Sequence, residues 1–200
     1  MGYSRVMDES YVREVLEKGA EGAAREMLGW VLVHDSPIGK ISGRIVETEA
    51  YTQSDEASHS FRGQTMRNAP MFSEAGTIYI YFTYGMHFCM NIVTGKVGQG
   101  EAVLIRALEP RSGIEIMQQN RKQQSVFDLA NGPAKLVQAM AIDKKMNGHN
   151  IFNDSVPLHL LAQPLAPDES IVSSPRIGIS KGTALLRRFY VKPSKFTSRS

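Results

Sequence analysis

Two hundred residues, 42% of them hydrophobic, can bury one sizeable core, and the length suits a single domain spanning residues 1–200. A lone cysteine, Cys89, excludes an internal disulfide framework, no stretch approaches a membrane span, and the polar start "MGYSRVMDES" carries no signal peptide, so a soluble cytoplasmic protein is expected. The net charge of +3 hides an asymmetry: residues 1–60 hold eleven of the twenty acidic side chains, while residues 170–200 hold seven Lys and Arg and no acid, which suits either a polyanion partner or a solvated basic tail.

In chain order, "SYVREVLEKGAEGAAREMLG" reads as helix, with Ser10 able to cap it and Gly19 and Gly22 breaking or bending it. "WVLVHD" reads as a strand, "SPIGK" as a turn and "ISGRIVETEAY" as the returning strand. Residues 52–75 are polar, with Gly63 and Pro70, and read as a long ordered loop of the kind that usually carries function. "TIYIYFTY" then alternates Ile78, Ile80 and Phe82 against Tyr79, Tyr81 and Thr83. It turns near Tyr84-Gly85 into "MHFCMNIV", which makes a hairpin. "EAVLIRALEP" is a further strand. "GIEIMQQNRKQQ" and "GPAKLVQAMAI" read as helices, the second with Pro133 in its first turn. Short strands and turns complete the chain.

Several chemistries lack the residues they need. "VGQG" is not a full phosphate-binding glycine pattern. His87 and Cys89 share a strand face, but zinc needs two further ligands and no CxxC or HExxH is present. Ser60 beside His59 is not a nucleophile elbow. "VETEAY" is more informative, because a regular strand puts Glu47, Glu49 and Tyr51 on one face. Two close carboxylates raise each other's pKa, which suits acid or base work. The pattern equally fits a solvated outer face, and a bulge would send the two acids to different sides.

"RIVETEAYTQSDEASHSFRGQTMRNAPMF", "GTIYIYFTYGMHFCMNIV", "AVLIRALEP" and "NGPAKLVQAMAI", in this order, resemble the alkyladenine (3-methyladenine) DNA glycosylase family, as do the later "PRIGIS" and "RRFYV". The resemblance covers nearly the whole chain and implies an α+β domain built on a curved, barrel-like antiparallel sheet. Helices would pack around it, and a β-hairpin would protrude into DNA. It implies a monomeric enzyme, with neither metal nor organic cofactor, that flips alkylated or deaminated purines out of duplex DNA. Hydrolysis of the N-glycosidic bond would then leave an abasic site. Retaining the fold as a non-catalytic binder of damaged or single-stranded nucleic acid is the rival reading, and hydrolysis of small nucleosides is a third.

By the same resemblance, Glu49 matches the catalytic carboxylate that activates water, and Arg106 matches an arginine beside that water. Tyr51, His59 and Tyr81 would sandwich the extruded base, whose positive charge when methylated suits aromatic faces. Asn91 matches a pocket side chain that crowds the guanine N2 amino group, and Tyr84 would wedge into the minor groove. Arg62, Arg67, Arg188 and Lys192 are candidate phosphate contacts, although "SFRGQTMRN" is spaced differently from relatives with more arginines. Glu47 is left as structural, and Arg106 has Glu47 or Glu109 as alternative salt-bridge partners.

Overall fold

The computed structural model describes residues 8–83, 85 and 87–198. Helix α1 (Glu9–Glu17) places Val12, Val15 and Leu16 on one buried stripe, at the spacing a helix face requires. Its cap is Asp8, whose side chain accepts from Tyr11 N at 3.0 Å, rather than Ser10, whose hydroxyl donates to the same carboxylate. The expected single helix is two: at Gly19 φ is 96°, a conformation that favours glycine, and α2 (Ala20–Glu26) starts afresh beyond it. Gly22 lies inside α2 without breaking it.

Eight strands follow: β1 (Val31–Ser36), β2 (Gly39–Tyr51), β3 (Ile78–Thr83), β4 (His87–Val93), β5 (Ala102–Ser112), β6 (Leu158–Leu161), β7 (Ser170–Ser174) and β8 (Arg188–Lys192). Every pairing is antiparallel, in the order β3-β4-β5-β2-β1-β6, and the sheet curls into a half-barrel. Helices α3 (Ile114–Arg121) and α4 (Pro133–Ala139, with Pro133 in its first turn) complete a single α+β domain. The long loop after β2 is ordered by turns and a 3₁₀ turn at Ala69–Phe72.

The thirteen-residue β2 organises everything that matters here. On one side it pairs with β5, and on the other with β1 up to Arg44 and with β8 from Glu47. At the switch, Ile45 N–H donates to Trp30 O and Ile45 O accepts from Gly29 N, so both buried backbone groups of Ile45 are paired. The register against β5 slips here, because Ile45 faces Leu108 and Glu47 faces Ala107. Val46 is therefore an inserted residue. Ile45 and Val46 both reach the core as a result, and the polar face passes from Ser42 and Arg44 to Glu47, Glu49 and Tyr51. On the core face, Thr48 Oγ1 donates to Ala24 O at 2.7 Å and fastens α2 to the strand.

In the β3–β4 hairpin, Ile78 and Ile80 join the core as the alternation predicts. Phe82 does not: it is largely exposed and packs instead on Phe88, with ring centroids 5.1 Å apart. The strands outrun the core there, toward the turn at Gly85. The expected wedge, Tyr84, lies outside the described residues.

Candidate active site

The polar face of the sheet gathers residues from five strands into one row. Tyr79 pairs with Asn91, Asn91 with Leu104, Leu104 with Glu49, and Glu49 with Arg188. Side chains directly opposite one another lie on the same face. Four segments far apart in sequence are thereby brought side by side, and one rung further along Tyr81 pairs with Cys89. Above the row opens a cleft of about 490 Å³, lined by Tyr51, His59, Tyr79, Tyr81, Asn91 and Arg106 among others. Such a volume lies within the roughly 300–1,000 Å³ of small-molecule sites.

Glu49 sits behind this wall, fully buried. Its Oε1 accepts from Ile177 N at 2.9 Å and lies 3.2 Å from Arg106 Nη1, while Oε2 accepts from Tyr51 Oη at 2.8 Å. All three partners line the cleft. Burial raises the Glu49 pKa above the usual carboxylate value, although the Arg106 charge and the Ile177 and Tyr51 hydrogen bonds oppose it. A desolvated carboxylate of raised pKa is a stronger base than a surface one. Burial and the adjacent Glu49 charge push the Tyr51 pKa far up, so its hydroxyl remains a donor.

The aromatic walls are braced from behind. The Arg176 guanidinium lies 4.6 Å from the Tyr51 ring centroid and is itself buried against Asp55, also donating to Ala50 O. Opposite, His59 and Tyr81 meet edge-to-face at 4.6 Å. His59 Nδ1 is 2.9 Å from the buried Tyr79 hydroxyl, and partial desolvation together with the Arg67 charge lowers the His59 pKa, which favours neutral imidazole. Asn68 holds the loop that carries His59, donating to His59 O and Gly63 O. Asn91 is buried and donates to Tyr79 O at 3.1 Å. Among the described residues no three His, Cys, Asp or Glu side chains gather into a metal-holding group.

Not every candidate sits at the cleft. Arg62, Arg67 and Lys192 are exposed. Arg188 is engaged internally, its Nε 2.6 Å from Glu47 Oε1 and its Nη1 donating to Ser174 Oγ, with the side chain only 11% exposed. The charge asymmetry has a related explanation. Arg176, Arg187 and Arg188 near one end of the chain pair with Asp55, Glu21 and Glu47 near the other, so much of the basic surplus stitches the fold together. Arg106 bridges both acids of "VETEAY", at 3.1 Å to Glu47 and 3.2 Å to Glu49, while Glu109 faces Arg44 and Arg111. The residue inserted in β2 precedes Glu47, the next slip against β5 falls on the β5 side at Arg106, and β2 pairs with β8 without a break from Glu47 to Glu49, so the two acids stay on one face.

Sequence reasoning missed Tyr79, Ile177, Arg176 and Asp55. Tyr79 carried a period-2 signal without a partner, and Ile177 acts through its backbone, which leaves no side-chain signature.

A family model described as methylpurine-DNA glycosylase matches residues 14–195. A protein of Carboxydothermus hydrogenoformans is 47% identical over 189 residues, covering 94% of this chain and 96% of its own. A protein of Francisella tularensis is 49% identical over 178 residues (88% and 92%), and one of Methanoculleus marisnigri 45% over 185 (92% and 95%). All three bear the name "Putative 3-methyladenine DNA glycosylase".

Proposed function

Because the chain belongs to the methylpurine-DNA glycosylase family, we propose that it excises damaged purines from duplex DNA by hydrolysing the N-glycosidic bond. The observation that carries this reading is a buried carboxylate of raised pKa, Glu49, held directly behind the aromatic cleft by three residues that line it, Tyr51, Arg106 and Ile177. A base inside a duplex cannot enter such a cleft, so the nucleotide must be flipped out first. Tyr51 then stacks on one face of the purine and His59 with Tyr81 on the other. Glu49 positions and deprotonates a water that attacks C1′, and its charge stabilises the developing sugar cation. Arg106 holds that carboxylate, and Tyr84 fills the gap left in the stack. The enzyme acts as a monomer on 3-methyladenine, 7-methylguanine, hypoxanthine and ethenoadenine.

A direct test incubates excess protein with duplexes carrying hypoxanthine or 1,N6-ethenoadenine and cleaves abasic sites with alkali. Strand cleavage at the lesion is expected. Full-length strands with both lesions would remove this activity, and retained tight binding would then favour the non-catalytic reading.

Two further results follow from the geometry. Asn91 lines the cleft; if its side chain crowds the N2 amino group of a bound guanine, Asn91→Ala should raise excision of guanine-type lesions relative to hypoxanthine by about 1–3 kcal/mol in discrimination. An unchanged ratio returns Asn91 to its bond with Tyr79 O. The exposed Lys192 is free to meet a phosphate, and Lys192→Ala should flatten the log–log salt dependence of duplex binding by about 0.9. Arg188→Met should leave that slope alone and instead lower stability by about 2 kcal/mol, because it uncovers part of the buried Glu47 charge. Salt titrations of binding and denaturant melts separate the two, and a slope change in Arg188→Met would return that residue to the DNA footprint.

A further inference from the structure

Glu47 is fully buried, yet it does not line the cleft. Four donors converge on it: Arg106 Nε (3.1 Å), Arg188 Nε (2.6 Å) and Ser198 Oγ (2.7 Å) on Oε1, and Ser198 N (2.5 Å) on Oε2. Ser198 Oγ also accepts from Arg106 Nη2 at 3.4 Å. The Arg106 guanidinium is thus held along one edge, through Nε and Nη2, which leaves Nη1 directed at Glu49. A planar group held this way has no freedom to rotate away from its third partner.

Resting on the glycosylase reading above, we infer that Glu47 is a positioning residue for excision, and that the segment ending at Ser198 belongs to the same machinery: together they clamp Arg106 against Glu49. The tail is anchored for the purpose, because Phe196 packs on Phe127 at 5.1 Å and against the core. The family match ends at residue 195, three residues before Ser198, so this half of the clamp lies outside the matched segment.

Charge balance gives the clamp a second consequence. Two buried carboxylates, Glu47 and Glu49, face two guanidinia, Arg106 and Arg188. Arg106 is shared, and the negative Glu47 makes Glu49 harder to ionise. A carboxylate without electrostatic access to Glu49 would have no influence on how the rate depends on pH. The other groups facing Glu49 are Tyr51 on its own strand, the Ile177 N–H, Tyr81 and Cys89 from β3 and β4, and Arg176 behind Tyr51, and the test leaves all of them in place.

The test measures single-turnover excision of hypoxanthine from a duplex across pH for the wild type, Glu47→Gln and Ser198→Ala, with duplex binding and thermal melts in parallel. Glu47→Gln should bind the duplex like the wild type but turn over about 10²-fold more slowly, since a misplaced catalytic group costs on that order. Its acidic limb should move down, because Glu49 loses a like charge and gains the whole of Arg106. Ser198→Ala keeps both carboxylates but loosens Arg106, so its rate should fall less and its acidic limb should move up. Opposite shifts are the signature of the clamp. Wild-type rates and limbs in both variants, or losses that track the melting temperature with no shift of the limb, overturn it. If Glu47→Gln does not fold, Ser198→Ala alone decides. A wild type that releases no base refutes the glycosylase reading, which is a separate outcome.

Discussion

Replacing Glu49 with Gln should reduce single-turnover excision by at least the roughly 10²- to 10⁴-fold typical of losing a general base. The substitution is nearly isosteric, and its hydrogen bonds can be remade. The Gln oxygen must face Ile177 N–H, which can only donate, and the amide nitrogen then faces the Tyr51 hydroxyl, which can turn to accept. Arg106 keeps Glu47 as its partner. Lesion-DNA binding should therefore survive, and the defect should lie in the chemical step. The wild-type rate should also fall as pH drops through the raised Glu49 pKa, since only the ionised carboxylate takes a proton from water. The Gln variant has no such limb to lose. If Glu49→Gln keeps near-wild-type rates while Glu47→Gln loses them, the base is the other carboxylate.

Asp55→Asn should lower folding stability by about 3–5 kcal/mol, a large share of the roughly 5–15 kcal/mol that holds a domain together. The Arg176 side chain is fully buried, its Nη1 shared between Asp55 and Ala50 O, and its Nε and Nη2 have no hydrogen-bond partner among the described residues. Without the Asp55 charge, a buried cation is left uncompensated. Arg187, 3.1 Å from the same carboxylate, loses one of its two acidic partners and keeps Glu21. Burial works against ionisation of Asp55, but the bonds from Arg176, Ala57 N–H and Arg187 outweigh it and hold the pKa below the usual carboxylate value. A depressed folded-state pKa contributes stability that is complete above the unfolded value of about 3.9 and is lost as pH falls through the folded one. The gap between wild type and Asp55→Asn, read from denaturant melts, should thus be widest near neutral pH and close in acid. A gap independent of pH would assign the loss to packing rather than to the ion pair.

The alternations in the sequence carried most of the strands, because a period of two survives wherever one face is buried. They failed where the core ended, at Phe82, and where two faces were buried, at Tyr79, which is buried on the face opposite Ile78 and Ile80. The helix break at Gly19 was legible, but its cap was not. Asp8 and Ser10 are both competent, and only the geometry of the first turn chooses between them. In the site, Glu49, Tyr51, His59, Tyr81, Asn91 and Arg106 were within reach of motif likeness, and the strand register brings them around one cleft. The inserted Val46 was not readable, so the sequence left open whether Glu47 and Glu49 share a face. Contacts between distant ends of the chain were equally silent. Arg188, Arg176 and Ser198 are ordinary residues in sequence and acquire partners only once β8 has joined β2 and the tail has folded back.

The most direct measurement is chromatography of what leaves the DNA. Duplex treated with a methylating agent is mixed with excess wild-type protein or with the Glu49→Gln variant, and the small molecules released are separated and identified. Hydrolysis at C1′ predicts free 3-methyladenine from the wild type, an equal count of abasic sites in the strand, and at least 10²-fold slower release from the variant. No free base from the wild type, or equal release from both proteins, would contradict a Glu49-driven glycosylase.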